Sequence, residues 1–326
     1  MLCIKDLHTD PYFNLAADEY VMKNLKEDCF MLWRNDPSII VGKHQNTLAE
    51  INLDYVREND IKVVRRISGG GAVFHDLGNL NFTFIRNSAE GAQVDFRKFT
   101  LPILDVLKTM GMDAKFEGRN DLTIDGKKFS GNAEHVWKNR TLHHGTLLFS
   151  SVMTDLSSAL KVNPLKFTDK AVKSVRSRVT NISEHLKEKM DVLEFRDRIM
   201  KQIMEMYPDS VEYKYSSEDI SGIVRLRDEK FAKWEWNFGY SPKYDFEKMI
   251  RTEGGSVEFH FNVEKGIIQD IRIFGDFFHK NDIEVIEKSL CGVKHEYDSI
   301  ITHLSQFDFS EYFKNIKVEE FTAGMF

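Results

Sequence analysis

Apolar residues recur along this chain with two periods, and each change of period marks an element. Leu15, Met22 and Leu25 fall at helical spacing behind Asp10-Pro11, an N-cap followed by proline, and predict a first helix ending near Asn24. Short β-type runs follow at 30–33, 38–41, 61–64, 72–74 and 81–85 and together predict one mixed sheet. A second helix is expected from Thr100 as cap, Pro102 in the first turn, Ile103, Val106, Leu107 and Met110 on one side, and Gly111 as the stop. A third carries a capping-box pattern in Asp191 and Glu194, buries Phe195, Ile199 and Ile203, and ends before Pro208. Helices and strands intermix without strict alternation, which predicts an α+β fold.

Between Ser241-Pro242 and Gly254-Gly255 the texture changes. Beyond it Val257, Phe259, Phe261 and Val263 alternate, Glu264-Lys265-Gly266 turns the chain, and Ile267, Ile271 and Ile273 alternate back, the pattern of a hairpin. A helix over 282–290 and an amphipathic stretch through Ile300, Leu304 and Phe307 would cover its sheet. The expectation is a large domain at 1–246 and a small α+β domain at 252–326, which suits 326 residues at roughly 150 per domain.

Composition narrows the class. Hydrophobic residues at 42% and charged residues at 29% fit a globular protein, and 45 Lys+Arg against 51 Asp+Glu leave a net charge of −6, so no basic field points to nucleic acid. Cys3, Cys29 and Cys291 have neither the count nor the spacing of a disulfide framework or zinc site. No run approaches the ~18 apolar residues of a membrane span, and the start lacks a signal peptide's apolar core. A cytoplasmic, monomeric protein is expected.

Two segments carry candidate chemistry. Arg65-Arg66-Ile67-Ser68-Gly69-Gly70-Gly71-Ala72-Val73-Phe74-His75-Asp76 sets three glycines between β-type runs, where backbone N–H groups can converge on an anion. It is neither a Walker loop nor a Rossmann fingerprint, since no Gly-Lys-Ser/Thr follows and the downstream residues favour strand. Arg66 could grip a phosphate or carboxylate with both guanidinium nitrogens. The bland alternative is a glycine-rich bend with two solvated arginines.

In the second segment, Asp125-Gly126 between strand formers predicts a two-residue hairpin turn, pairing Ile124 with Lys127, Thr123 with Lys128, Leu122 with Phe129 and Asp121 with Ser130. Leu122, Ile124 and Phe129 would then lie on an apolar side, and Asp121, Thr123, Lys128 and Ser130 on the other. An ammonium fixed beside an aspartate can stabilise charge on a phosphoryl oxygen, and the aspartate can hold Mg²⁺; the alternative is a solvated edge guarded by lysine. The lysines and arginines between Lys161 and Thr180 could close over a nucleotide or form a solvated loop. His143-His144 lacks metal-pair spacing, His75 suits a pocket wall or a core, and Trp234 and Trp236 alternate like strand residues of a core.

The glycine segment, extended to Leu77-Gly78-Asn79, resembles the signature loop of lipoate-protein ligases. Asp10-Pro11 with Asn14-Leu15-Ala16, Leu32-Trp33-Arg34-Asn35, Gly118-Arg119-Asn120-Asp121-Leu122, Lys128-Phe129-Ser130-Gly131, His143-His144-Gly145-Thr146-Leu147, Ser174-Val175-Arg176-Ser177-Arg178-Val179-Thr180-Asn181 and Trp234-Glu235-Trp236-Asn237-Phe238-Gly239 match in order. Asp18-Glu19 stands where many members carry two glutamates.

The resemblance implies the catalytic fold shared with biotin ligases and class II synthetases, with mixed sheets and flanking helices, plus the accessory domain of the long bacterial type. It implies ATP-dependent activation of lipoate to lipoyl-AMP and transfer to a lysine of lipoyl domains of 2-oxoacid dehydrogenase E2 subunits or of the glycine cleavage H protein. Lys128 would be catalytic. Arg66, Ser68, Gly69, Gly70, Gly71, Ala72, Val73, Phe74, His75, Asn120, Ser130, Gly131, Ala133, Gly145 and Thr146 would bind ATP and the adenylate with it. Asp18, Trp33 and His75 would line the lipoate pocket, Lys173, Ser174, Val175 and Arg176 would form an adenylate loop, and Asp121 would hold Mg²⁺. ATP, Mg²⁺ and lipoate are expected, with no tightly bound prosthetic group and no nucleic-acid or membrane partner.

Two rivals frame the test. An octanoyl or lipoyl transferase would need a pocket cysteine, and none occurs between Cys29 and Cys291. A non-catalytic regulator that binds lipoate or nucleotide has no need of Lys128 and Asp121.

Overall fold

The computed structural model describes residues 1–87, 95–118, 120–160 and 179–326, and the backbone of 167–169. In chain order its elements are β1 (Leu2–Lys5), α1 (Pro11–Asn24), β2 (Cys29–Trp33), β3 (Ser38–Val41), α2 (Thr47–Glu50), α3 (Leu53–Glu58), β4 (Lys62–Arg65), β5 (Val73–His75), β6 (Asn79–Asn87), α4 (Phe96–Thr109), β7 (Ala114–Glu117), β8 (Asp121–Ile124), β9 (Lys127–Trp137) and β10 (Arg140–Leu148). There follow α5 (Met153–Ala159), β11 (Phe167–Asp169), α6 (Val192–Met206), β12 (Val211–Tyr213), α7 (Ser217–Leu226), β13 (Tyr244–Thr252), β14 (Gly255–Glu264), β15 (Ile267–Gly275), α8 (Glu284–Leu290), α9 (Tyr297–Leu304) and α10 (Val318–Gly324). The class is α+β. One unit comprises Met1–Lys43, 58–160 and 179–233; a second comprises His44–Arg57, β11 and Trp234–Phe326.

The first unit holds two sheets where the sequence predicts one. Eight strands run in the order β12-β1-β2-β6-β10-β9-β8-β7, and β4-β3-β5 form a separate sheet. The physical reason is edge occupancy: β2 is already paired on both sides by β1 and β6, and β3 by β4 and β5, so no ladder joins them.

Register assigns the faces of the large sheet. Leu32 lies opposite Phe82 and Phe30 opposite Phe84, while Phe82 lies opposite Gly145. These side chains, with Leu147, Leu122 and Phe129, pack against Phe99, Ile103 and Leu107 of α4 and Phe195, Ile199 and Ile203 of α6 in one core. Because alternate residues point to opposite sides, Trp33, Asn81, Thr83, Ala133, His144 and Thr146 share the other face.

Of three predicted helix starts, one moves. Asp10 caps α1 as expected, its side chain accepting from the Tyr12 N–H. The helix expected from Thr100 instead begins at Phe96, where Asp95 accepts from the Lys98 N–H at 3.2 Å. Burial of Phe99 on the core stripe extends it, and the Thr100 hydroxyl donates back to the Phe96 carbonyl at 2.8 Å, so both Thr100 and Pro102 lie inside it. Asp191 does cap α6, but the Glu194 carboxylate accepts from Arg198 and not from the cap backbone.

In the second unit the sheet order is β11-β13-β14-β15. Strand β13 occupies the stretch between the two expected domains, its buried Tyr244 and Phe246 alternating with exposed Asp245 and Glu247. Lys265-Gly266 turns with φ of 52° and 73°, and a bulge beyond the turn brings Ile268, not Ile267, into the core with Ile271 and Ile273. Trp234 and Trp236 are half-buried residues of a wide helical turn, not strand residues, since their segment bonds along itself and joins no ladder. No helix among the described residues is long and apolar enough to cross a membrane.

Candidate functional site

The glycine loop joins β4 to β5, and Arg66 braces it from beneath. Its guanidinium donates to the Ile40 carbonyl at 3.1 Å, to Ser68 Oγ at 3.1 Å, and to the carbonyls of Gly69 and Gly71 at 2.6 and 2.7 Å. Arg66 is buried, and burial beside Arg65 pulls its pKa down to about 10, so it remains a cation. Both arginines differ from the solvated pair of the bland reading. The fork is also engaged by the loop's own carbonyls, at Gly69 and Gly71, where the sequence reading had a phosphate or carboxylate as its partner. Trans peptide geometry turns the Gly70 N–H away from the carbonyl of Gly69, hence away from the guanidinium. Gly70 has φ of +91°, and its carbonyl would lie 2.0 Å from a Cβ at Gly42.

Ser68 ties this loop to the large sheet. Its Oγ lies 2.6 Å from His144 Nε2, and His144 Nδ1 lies 2.8 Å from Asp18 Oδ2. Asp18 Oδ1 accepts from Thr83 Oγ1 at 2.8 Å, and Thr83 Oγ1 accepts from Trp33 Nε1 at 3.0 Å. Every member is buried.

The hairpin turns at Asp125 and Gly126, with φ of 51° and 69°, as Asp-Gly predicts. Ile124 pairs with Lys127 and Thr123 with Lys128; then the register shifts, so that Leu122 pairs with Ser130 and Asp121 with Gly131. Phe129 is the surplus residue of a bulge. It corrects the predicted pairings of Leu122 and Asp121, and it turns Ser130 to the core side, where Asn132 Nδ2 donates to its Oγ at 3.2 Å. Gly131 consequently comes to the face of Asp121 and Lys128.

There Lys128 Nζ pairs with Asp121 Oδ1 at 2.8 Å, both side chains part-exposed. The lysine lies across Gly131: a Cβ on that residue would meet Lys128 Cε and Nζ at 3.1 Å. The Gly131 N–H donates to Thr146 Oγ1 at 3.0 Å, and the Lys128 carbonyl accepts from the Thr180 N–H at 3.0 Å. Thr146 and His144 are two residues apart on one face of β10, about 7 Å. The glycine loop and the Lys128 ammonium are thus fastened to the same strand.

His75 closes another side. Asn35 Nδ2 lies 3.0 Å from His75 Nδ1, which assigns the ring proton to Nε2, and this buried donor has no partner among the described residues. Burial beside Arg66 and His144 lowers the His75 pKa to about 3, so the ring is neutral. Trp33 meets it edge-on at 6.0 Å and, with its N–H given to Thr83, presents an apolar surface. One unpaired donor beside an apolar wall suits a largely apolar ligand with one polar feature.

Other predicted residues separate. Ala72, Val73 and Phe74 continue the loop into β5. Ala133 is opposite His144 on the site face, whereas Gly145 faces the core, where a Cβ would meet the Phe82 ring at 2.6 Å. Asn120 fastens β9 by donating to the Asn132 carbonyl at 2.6 Å. Lys173, Ser174, Val175 and Arg176, like Arg119, lie outside the described residues. Sequence reasoning passed over Asn35, Thr83 and a second buried set in which His143 Nδ1 meets Glu134 at 2.9 Å and Nε2 meets Asn132 Oδ1 at 3.1 Å. The alternation of polar residues in Asn79-Leu80-Asn81-Phe82-Thr83 was the available signal. In the second unit Glu247, Glu258 and His260 cluster on the sheet, where the imidazole already faces both carboxylates, at 3.9 and 2.7 Å.

Comparison with known proteins gives this geometry a context. The Lipoyl protein ligase A/B catalytic domain matches residues 10–204, and the Bacterial lipoate protein ligase C-terminus matches 241–324. Lipoate–protein ligase 1 of Staphylococcus aureus is 45% identical over 314 residues, 96% of this chain and 95% of that protein. Lipoate-protein ligase LplJ of Bacillus subtilis is 44% identical over 316 residues, 96% of each. Among solved structures, P. falciparum LipL1 in complex with lipoate has a TM-score of 0.62 at 28% identity and 94% coverage of both chains. A lipoate-protein ligase A bound with ATP has a TM-score of 0.62 at 27% identity, with 74% of this chain and 100% of that one covered. This chain belongs to the lipoate-protein ligase family.

Proposed function

We propose that this chain activates lipoate with ATP to lipoyl-AMP and transfers the lipoyl group to a lysine of a lipoyl-domain protein. The observation that carries the reading is the Lys128–Asp121 pair at 2.8 Å, fastened through Gly131 and Thr146 to the strand that also holds the glycine loop. A carboxylate oxygen of lipoate attacks the α-phosphorus of ATP, and the bond to the leaving pyrophosphate breaks. Negative charge accumulates on phosphoryl oxygens, where a fixed ammonium and loop N–H groups are most effective because they need no reorganisation. An acceptor lysine, arriving as the neutral amine, then attacks the lipoyl carbonyl; AMP departs with the electrons of the cleaved C–O bond and the amine loses its proton.

The donor set fits Mg²⁺. Asp121 gives Oδ1 to Lys128 and keeps a second carboxylate oxygen, and Mg²⁺ is ordinarily held by one or two carboxylates together with phosphate oxygens and water. Bound there, the ion would neutralise phosphate charge. Trp33 and His75 suit the lipoyl chain. A bi-partite lipoate protein ligase has been solved with its E2 lipoyl domain from Thermoplasma acidophilum and aligns here at 27% identity, which supports E2 lipoyl domains as acceptors; the glycine cleavage H protein presents the same chemistry. A cytoplasmic monomer fits this role.

A cysteine-thioester route is disfavoured. Cys3 and Cys29 are buried, and desolvation raises both thiols, Cys29 to about 12, leaving no thiolate near neutrality. The test is mass-resolved lipoylation of an isolated E2 lipoyl domain. Modification should require ATP and disappear in Lys128→Ala; modification that persists without ATP, or in that variant, refutes the proposal.

A further inference from the structure

The buried chain from Trp33 to Arg66 has donor-only groups at both ends, which sets the direction of the bonds into Thr83 and Ser68. The Trp33 indole can only donate, so Thr83 Oγ1 accepts from it and gives its own proton to Asp18. Asp18 also receives the Nδ1 proton of His144. With the proton on Nδ1 alone, Nε2 accepts the Ser68 hydroxyl proton, while Ser68 Oγ accepts from Arg66 Nε at 3.1 Å. The order of groups is that of a serine–histidine–aspartate relay, but Ser68 is buried and already receives the Arg66 N–H, so it is poorly placed to attack anything.

What the relay does control is position. Ser68 is the residue through which the glycine loop is bonded to strand β10, and His144 is its partner there. Two residues further along the same face, Thr146 holds the N–H of Gly131, over which Lys128 lies. We infer that His144, its tautomer held by Asp18, is a positioning residue that sets the separation between the glycine loop and the Lys128 ammonium. Neither His144 nor Asp18 need touch the reacting atoms. Their effect is transmitted by two hydrogen bonds on opposite sides of one imidazole, and loss of either loosens the loop from β10, the strand whose Thr146 holds Gly131 under the lysine of β9.

This inference rests on the adenylation reading, and lipoate-dependent exchange of pyrophosphate into ATP measures that half-reaction directly. His144→Phe removes the bond to Ser68 and should lower kcat for exchange by roughly 100-fold, the cost of about 1 Å of misplacement. KM for ATP and lipoate should move by less than about threefold, because ground-state contacts remain. His144→Gln, which can still reach Ser68, should recover much of the loss. Asp18→Asn, nearly isosteric and so expected to fold, should resemble His144→Phe because the amide no longer fixes Nδ1 as the protonated nitrogen. The decisive comparison is the double variant Ser68→Ala/His144→Phe. With Ser68 as the sole route of action, the double should be no slower than the slower single variant. Additive losses overturn the inference, as does full exchange activity in folded His144→Phe or Asp18→Asn. Absence of exchange in the unmodified protein would instead refute the adenylation reading, so the two failures are distinguishable.

Discussion

A single methyl group at residue 131 should disable the chemistry while leaving the fold intact. In the structure the Cβ of an alanine there would sit 3.1 Å from both Cε and Nζ of Lys128, a few tenths of an ångström inside ordinary contact. The obstructing atoms are the far end of a flexible side chain, so the protein relieves the contact by moving the ammonium, not the backbone. Gly131 has no positive φ to defend, and its N–H to Thr146 survives the substitution. A displacement of a few tenths to 1 Å in a catalytic group costs about 10- to 100-fold in rate, which is roughly 1.4 to 2.7 kcal/mol. Gly131 is half-buried and unstrained, and the added methyl meets only a movable side-chain end, so the stability change should stay within about 0.5 kcal/mol. Gly131→Ala should therefore reduce kcat for lipoate-dependent pyrophosphate exchange by that factor, with a thermal midpoint within about 2 °C of the parent. An active Gly131→Ala, or one whose loss of activity follows its loss of folded protein, would refute the claim that this glycine is there to seat the lysine.

Two further substitutions probe the scaffold. Arg66→Lys replaces a fork serving three carbonyls and one hydroxyl by a single ammonium; unpaired buried carbonyls should cost about 2–4 kcal/mol in chemical denaturation, and an unchanged midpoint would show that the brace is dispensable. In the second unit His295 is buried, accepts from the Tyr244 hydroxyl and donates to the Met325 carbonyl; burial lowers its pKa from 6.5 to about 4. The unfolded chain binds the extra proton between those values, so stability falls as pH drops from about 6.5 toward 4, by about 1.4 kcal/mol per pH unit for one such group. His295→Gln should unfold more easily at pH 7 yet lose less on going to pH 5, and parallel pH slopes would refute the assignment.

Local signals were legible in the sequence because they act over a few residues. Asp10-Pro11 caps α1, Asp125-Gly126 and Lys265-Gly266 make their turns, and Asp191 caps α6 for reasons contained in a four-residue window. The salt bridge between Asp121 and Lys128 followed from the turn and the pleat. What escaped depended on competition between distant groups. Nothing local marks Phe129 as surplus; the bulge is settled by the core that takes up Phe129 and Leu122. Thr100 and Pro102 imitate a helix start until the burial of Phe99 is known. His144 meets partners 126 and 76 residues away, so its role had no sequence signature beyond a polar residue in an alternating run. Arg66 was read as a grip for a phosphate or carboxylate, and nothing local shows that the carbonyls of Gly69 and Gly71 turn in to meet its guanidinium.

The limbs of the β8–β9 hairpin are unequal: Asp121 stands four positions before Asp125, and its partner Gly131 five after Gly126. That inequality acts as a half-period phase shift on everything downstream. A redesign that regularised the ladder at constant length would rotate Gly131 and Ala133 toward the phenylalanine layer and bring Asn132 round to the substrate side, with no change of composition. An insertion or deletion scan across this limb should accordingly give an alternating record of activity, odd steps silent and even steps partly rescued, quite unlike the smooth decline expected of a loop.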